Sequence, residues 1–254
     1  MKIENSRLKQ VDLTKKIADK NLYEKKLKKY QWQLLLLQHV LHQEKIATMI
    51  VMERWDAAGK GGAIKRVTER LDPRGFNVWS IAAPEPHENR YHYLQRFWRK
   101  IPKFGEMTIF DRSWYGRVLV ERIEGFASEK EWHRAYNEIN EFERQLSDAN
   151  YLIIKCWFHI SKEEQLARFK AREENPFKKW KLTDEDWRNR KKWDQYVEAV
   201  EEMFAKTDKK YAPWHIIASN DKKYSRIETL KIIIQTIEGH LKHNQISLPN
   251  YNKH

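Results

Sequence analysis

The 254-residue sequence predicts an α/β protein built on a five-stranded parallel sheet with helices on both faces. Three observations predict it. Five short apolar runs, bounded by charge or turn residues, alternate with longer segments whose apolar residues recur at helical spacing. A small-residue loop, Asp56-Ala57-Ala58-Gly59-Lys60-Gly61-Gly62, joins the first run to a helical segment. Two carboxylates, Asp56 and Asp111, fall just beyond the ends of apolar runs, where an open parallel sheet places its ligands.

Residues 1–20 are polar and charged and read as an arm. A long helix is expected over 22–44, with Leu27, Tyr30, Leu34, Leu37, Val40 and Leu41 on one broad face. The run Leu34-Leu35-Leu36-Leu37 predicts burial on more than one side, against the sheet or a partner subunit. Ile46-Ala47-Thr48-Met49-Ile50-Val51 is the first strand. Residues 63–71 form the helix after the loop, with Ile64, Val67 and Leu71 in phase. Asp72-Pro73-Arg74-Gly75 is a turn, and 76–83 reads as the second strand.

A helix is expected over 88–100, its stripe of Tyr91, Leu94, Phe97, Trp98 and Ile101 facing the core. Residues 107–111 are the third strand, 129–147 a helix and 151–158 the fourth strand. Ser161 caps a helix that Asn175-Pro176 ends, and Thr183-Asp184-Glu185-Asp186 caps another running to about 206. Two helices joined by a basic, proline-broken loop look like a lid over 161–206, with a plain helical hairpin as the alternative. Residues 214–218 are the fifth strand, 221–241 the final helix and 242–254 a tail, leaving 21–241 as one domain.

A strand, a small-residue loop and a helix opening on Gly59-Lys60 form the plan of a phosphate cradle. Glycines let backbone N–H groups face phosphate oxygens, and the helix N-terminus adds partial positive charge. Lys60 would reach the phosphates as a point charge. Against the Walker A pattern, Arg54 stands where the first glycine is expected and Gly61 where a Ser or Thr is expected. Downstream, Asp111 ends an apolar strand, where it could hold Mg²⁺ beside the loop, and Arg112 and Arg117 follow, suited to anionic oxygens.

Asp56-Ala57-Ala58-Gly59-Lys60-Gly61-Gly62, Phe110-Asp111-Arg112-Ser113-Trp114-Tyr115 and Asn175-Pro176-Phe177-Lys178-Lys179-Trp180-Lys181-Leu182, in that order, resemble the polyphosphate kinase type 2 family from about residue 22 to 241. The resemblance implies a P-loop kinase-like three-layer fold with a helical lid. It implies reversible phosphoryl transfer from inorganic polyphosphate to a nucleotide, dependent on Mg²⁺ or Mn²⁺. In that reading Lys60 and the loop backbone of Ala57, Ala58, Gly59, Gly61 and Gly62 take the terminal phosphates. Asp56 and Asp111 hold the metal and orient the attacking oxygen. Arg112 and Arg117 clamp the nucleotide phosphates, and Arg172, Lys178, Lys179 and Lys181 act from the lid. Lys65 and Arg66 would line the polyanion's track, with a solvated helix face as the alternative. Gly116 stands where diphosphate-specific members commonly carry Asn, so AMP to ADP is the expected reaction. A polyphosphate-dependent nucleoside diphosphate kinase and an ATP-dependent small-molecule kinase are the alternatives; the latter would be expected to keep the Ser or Thr that Gly61 replaces.

Forty-nine basic against 36 acidic residues give a net charge of +13, which predicts a polyanionic partner: nucleic acid, a membrane surface or polyphosphate. A pure charge-based binder would not need Asp56 and Asp111, which repel a polyanion without a metal; neither nucleic acid nor a membrane is therefore expected. The single cysteine, Cys156, lies in an apolar run, and Met1-Lys2-Ile3-Glu4-Asn5 shows no apolar signal region; a cytoplasmic setting is expected. A homo-oligomer, dimer or tetramer, is expected.

Overall fold

The computed structural model describes residues 6–177 and 179–252. The five apolar runs are five parallel strands: β1 (Ala47–Arg54), β2 (Phe76–Ser80), β3 (Met107–Asp111), β4 (Tyr151–His159) and β5 (Trp214–Ala218), in the order β2-β3-β1-β4-β5. The central strands are the most apolar because both of their faces are covered. Every residue of β4 is buried, as is every residue of β1 before Arg54, whereas edge strand β2 is largely exposed. The register pairs Met52 with Asp111 and Arg54 with Phe158, which brings the ends of β1 and β3 side by side.

The helices are α1 (Lys20–Gln43), α2 (Lys60–Thr68), α3 (Gln95–Trp98), α4 (Val120–Ile123), α5 (Glu129–Asp148), α6 (Lys162–Glu173), α7 (Asp184–Lys191), α8 (Trp193–Thr207) and α9 (Lys222–His243). One layer holds α1, α2 and α9, packed on each other; α5 and α8 pack together in another. Leu34, Leu37 and Leu41 of α1 are completely buried, while Leu35 and Leu36 are half-buried, so the leucine run is covered mainly within the chain. No helix among the described residues is long and apolar enough to cross a membrane.

Several expectations change. The helix expected over 88–100 is a 3-10 turn, Glu88–Arg90, followed by the single turn of α3. Tyr91 leaves helical space at φ −120°, ψ 166°. The apolar stripe therefore divides: Leu94 and Phe97 are buried, but Tyr91 is 61% and Trp98 40% exposed. The helix expected from Thr183 to about 206 is two, α7 and α8, separated at Lys192. Finally β2 stops at Ser80, and β1 runs on through Arg54, so Arg54 belongs to the strand rather than the loop.

The first and last described segments pack on the rest of the chain. Ser6 Oγ and the Leu8 N–H donate to Glu201 Oε1 at 2.5 and 2.9 Å, and Arg7 pairs with Asp208 at 2.6 Å. Tyr251 Oη donates to Glu238 of α9 at 2.5 Å.

Candidate active site

β1 delivers the chain into Trp55-Asp56-Ala57-Ala58-Gly59, and α2 begins at Lys60. Gly59 sits at φ 99° as the helix N-cap, a conformation in which a Cβ is strained. Ala57 takes φ 62° despite its Cβ. The Ala58 N–H turns inward to Trp55 O at 3.0 Å and the Gly62 N–H to Gly59 O at 3.0 Å. The N–H groups of Lys60 and Gly61 lie in the first turn of α2, where a helix offers no intrahelical acceptor. A Cβ on Gly61 would meet nothing within 4 Å, so the missing Ser or Thr has no steric cause. A Cβ on Gly62 would lie 3.2 Å from Arg226 of α9.

Lys60 is 2% exposed, and its Nζ lies 2.6 Å from Asp111 Oδ1. The two are an ion pair by distance, but the approach is too poorly aligned to satisfy Nζ as a hydrogen-bond donor. Burial, then the charge of Arg54, lowers the Lys60 pKa to about 8, against the opposing pull of Glu53 and Asp111. Glu53, buried beside it, accepts from Ser113 Oγ at 2.7 Å, and burial raises its carboxyl. Arg112 has φ 69°, a sparsely populated conformation for a side-chain-bearing residue. Burial lowers its pKa, but Asp56, Glu185, Glu53 and Asp111 outweigh that and raise it.

Asp56 is held from two sides. Arg54 Nη1 donates to Oδ1 at 3.1 Å, and Asn189 Nδ2 of α7 donates to Oδ2 at 2.9 Å. The Asn189 amide is fixed in turn by Tyr196 Oη, which donates to its Oδ1 at 3.1 Å. From α6, Arg168 donates to Ala57 O at 2.9 Å and to Ser219 O and Asn220 O at 2.7 and 2.8 Å, tying the loop to the end of β5. Gln165 Nε2 donates to Asp56 O at 3.3 Å.

A cavity of about 810 Å³ opens beside this cluster, with Arg112, Ser113, Gly116 and Arg117 on one wall. Arg96, Arg134 and Arg188 add cationic groups and Tyr91, Tyr93 and Phe126 aromatic ones. Arg117 lies over the Tyr93 ring, 4.5 Å from its centroid, and pairs with Glu121 at 3.1 Å.

The structure thus gathers Asp56, Lys60, Asp111 and Arg112 of the sequence-predicted residues, with Arg172 half-buried in the field of Arg54, Asp186 and Asp56. Arg117 stands on the cavity wall. Lys65 is exposed, and Arg66 pairs with Glu69 at 3.9 Å on the side of α2 that meets Gln31 of α1. Lys178 and the Lys181 side chain lie outside the described residues; Lys179 opens an exposed 3-10 turn. Four side chains that shape the site were not singled out: Glu53, Arg168, Gln165 and Asn189. Glu53 had a signal, a carboxylate inside an apolar strand run. The others had none, since their partners stand 51 to 133 residues away in sequence.

Among the described residues no group of three or more His, Cys, Asp or Glu side chains is placed to hold a metal ion. Two aspartates beside a phosphate loop fit a hard cation that draws its remaining ligands from water and phosphate, as Mg²⁺ does.

A phosphate loop opening α2, a buried lysine paired to the aspartate at the end of β3, and helices reaching over from α6 to α8 define a P-loop kinase-like protein. The chain belongs to the polyphosphate kinase 2 (PPK2) family, whose model matches residues 17–245. It is 57% identical over 191 residues to a polyphosphate:AMP phosphotransferase of Acinetobacter johnsonii, covering 75% of this chain and 40% of that protein. The chain thus spans less than half of that relative's length. It is 40% identical to NDP-polyphosphate phosphotransferase 1 of Ruegeria pomeroyi over 92% of this chain and 77% of that one. The crystal structure of polyphosphate kinase 2 from Arthrobacter aurescens TC1 superposes with a TM-score of 0.88 at 31% identity, over 99% of this chain and 90% of that chain.

Proposed function

We propose that the protein transfers a phosphoryl group reversibly between inorganic polyphosphate and a nucleotide, with AMP as acceptor and ADP as product. The observation that carries this reading is the buried Lys60–Asp111 pair at the mouth of α2, directly beside an arginine-lined cavity of nucleotide size. The name of the 57%-identical relative supports AMP as acceptor, and that of the 40%-identical one keeps diphosphates as the second reading.

Phosphoryl transfer needs positioning and charge neutralisation more than covalent help from the protein. Lys60 Nζ and the first-turn N–H groups of α2 bind the terminal phosphate of the donor. Arg112 stands between loop and cavity and orients the acceptor phosphate, with Arg117 behind it. A non-bridging oxygen of AMP attacks the terminal phosphorus; the bond to the bridging oxygen breaks, and the chain leaves one phosphate shorter. Asp56 and Asp111 would hold Mg²⁺ or Mn²⁺, and the ion would supply charge neutralisation on the phosphate oxygens. The segment 161–206 acts as a lid, bringing Arg172 and the basic turn around Lys179 over the loop. Arg168 and Gln165 keep the loop in shape, and Asn189 sets the Asp56 carboxylate. The test is product identification after incubation with Mg²⁺, long polyphosphate and each of AMP, ADP, GMP and GDP. ADP from AMP supports the proposal; triphosphates alone would replace AMP by a diphosphate, and no transfer from polyphosphate would overturn it.

A further inference from the structure

The parallel sheet places a second feature at the same end of the molecule as the phosphate loop. α1 precedes β1 and runs back against it, so its N-terminal half stands at the loop end. α9 starts just after β5, whose far end Arg168 ties to the loop. Its first turns touch the loop helix, Arg226 lying against Gly62. Beyond Arg226, between α9 and α1, lies a cavity of about 550 Å³ lined by Lys16, Lys26, Lys231, Tyr30 and the carboxylates Asp19 and Glu228.

Its outer wall is anchored. The Ile17 N–H donates to Asp221 Oδ1 at 3.2 Å, Lys223 Nζ donates to Ala18 O at 3.3 Å, and Ile17 packs with Tyr23 and Ile227. Both carboxylates are engaged: Asp19 caps α1 through the Asn21 N–H at 2.8 Å, and Glu228 lies 3.9 Å from Lys231. Among the described residues, Lys16 and Lys26 have no carboxylate at ion-pair distance, although Lys26 is half-buried. The field around them is strongly positive. Residues 15–29 hold seven lysines against two carboxylates, and 221–231 hold three lysines and Arg226 against two. Together they carry about half of the net charge of +13.

We infer that this cavity is a second anion site, which takes the distal phosphates of a polyphosphate chain whose terminal phosphate lies at Lys60. The inference rests on the proposed donor. Lys231 stands about 8 Å further along α9 than Arg226, at 1.5 Å rise per residue. A long polyanion reaches both places at once, and holding the tail raises the effective concentration of its end at the loop. A short donor fills the loop alone.

The variant Lys16→Ala/Lys26→Ala/Lys231→Ala tests this, with Lys16→Glu/Lys26→Glu as a charge-reversed second form and melting curves to establish that both fold. With AMP as acceptor, KM for polyphosphate of several hundred phosphates should rise roughly five- to tenfold in the triple variant, the scale of three screened contacts. KM for a six-phosphate donor, KM for AMP and kcat should stay as in the unaltered protein. Calorimetric titration of long polyphosphate without nucleotide should show the same loss of affinity. Equal shifts for long and short donors, or none, would overturn the site while leaving transfer to AMP intact. Equal loss of affinity for a single-stranded oligonucleotide would replace polyphosphate by any polyanion as its ligand. Failure of transfer in the unaltered protein would strike the function instead, and the titration would still decide the cavity.

Discussion

At the scale of single residues, Lys60 is a base kept weak. Burial and Arg54 lower its pKa to about 8, so Nζ is charged below that pH and neutral above it. The donor's apparent KM should therefore climb about tenfold per pH unit above 8, read from pH-dependent kinetics at saturating nucleotide. Stability runs the other way. A lysine whose folded pKa lies below its unfolded 10.5 binds fewer protons when folded, so its contribution to stability rises with pH between about 8 and 10.5. A KM flat across pH 8 would remove Lys60 from phosphate binding. Arg54→Gly should move the break upward and, by releasing Asp56 Oδ1, weaken one phosphate substrate by roughly 1–2 kcal/mol at neutral pH. Arg54 pairs with Phe158 in the ladder and is not among the positive-φ residues, so the strand, unlike a glycine loop entry, accepts a side chain there. At Asp111 the substitution to Asn removes the charge that offsets both Lys60 and a cation. Turnover should fall by roughly 10² or more, with melting unchanged; full turnover would separate Asp111 from the metal. Much of this was legible: a carboxylate past a strand end and a lysine at a helix mouth reveal themselves by position. Arg168 and Asn189 did not, because their partners are a backbone carbonyl and a side chain brought near only by the tertiary fold.

At the scale of elements, the loop is held by what packs over it. Trp55 stacks on Trp193 of α8 with ring centroids 4.2 Å apart, and Asn189 of α7 reaches the Asp56 carboxylate. Asn189→Ala should lower kcat more than it raises either KM, and it should increase proteolysis between α6 and α7. Both effects absent would make the contact incidental. Beneath the opposite layer, Lys155 of β4 donates to Glu143 of α5, to Tyr115 Oη and to Thr207 O, each at 2.8 Å, with both charged side chains fully buried. Glu143→Ala leaves an uncompensated buried ammonium and should cost about 3–5 kcal/mol in denaturant unfolding, whereas Lys155→Met with Glu143→Leu should recover most of the loss. Strands were the most legible elements, since β3 and β5 run as expected from apolar runs bounded by charge. The break at Tyr91 and the separation of α7 from α8 at Lys192 were hidden. Neither has a proline or glycine, and aromatic spacing through Tyr91 mimics a helical stripe that the sheet edge does not bury.

At the scale of the whole molecule, charge and topology act together. All five strands are parallel, so every loop that follows a strand collects at one end, and the phosphate loop, Arg112 and the start of α9 share it. In the proposed function the net charge of +13 would act on two ligands of different length: a nucleotide with one or two phosphates, and a donor with many. Screening weakens each exposed contact, and the Debye length shrinks from about 10 Å at 0.1 M salt to about 3 Å at 1 M. In the proposed reading the nucleotide would enter a cavity whose arginines are partly paired and stacked, Arg117 on Glu121 and Tyr93 among them, so few of its contacts would be open to salt. A long donor bound as inferred would extend across exposed lysines and lose many contacts at once. Raising salt from 0.05 to 0.5 M should therefore increase KM for long polyphosphate several times more than KM for AMP, with kcat changing least. Parallel increases for both substrates would mean that the surface charge serves solubility and not donor capture.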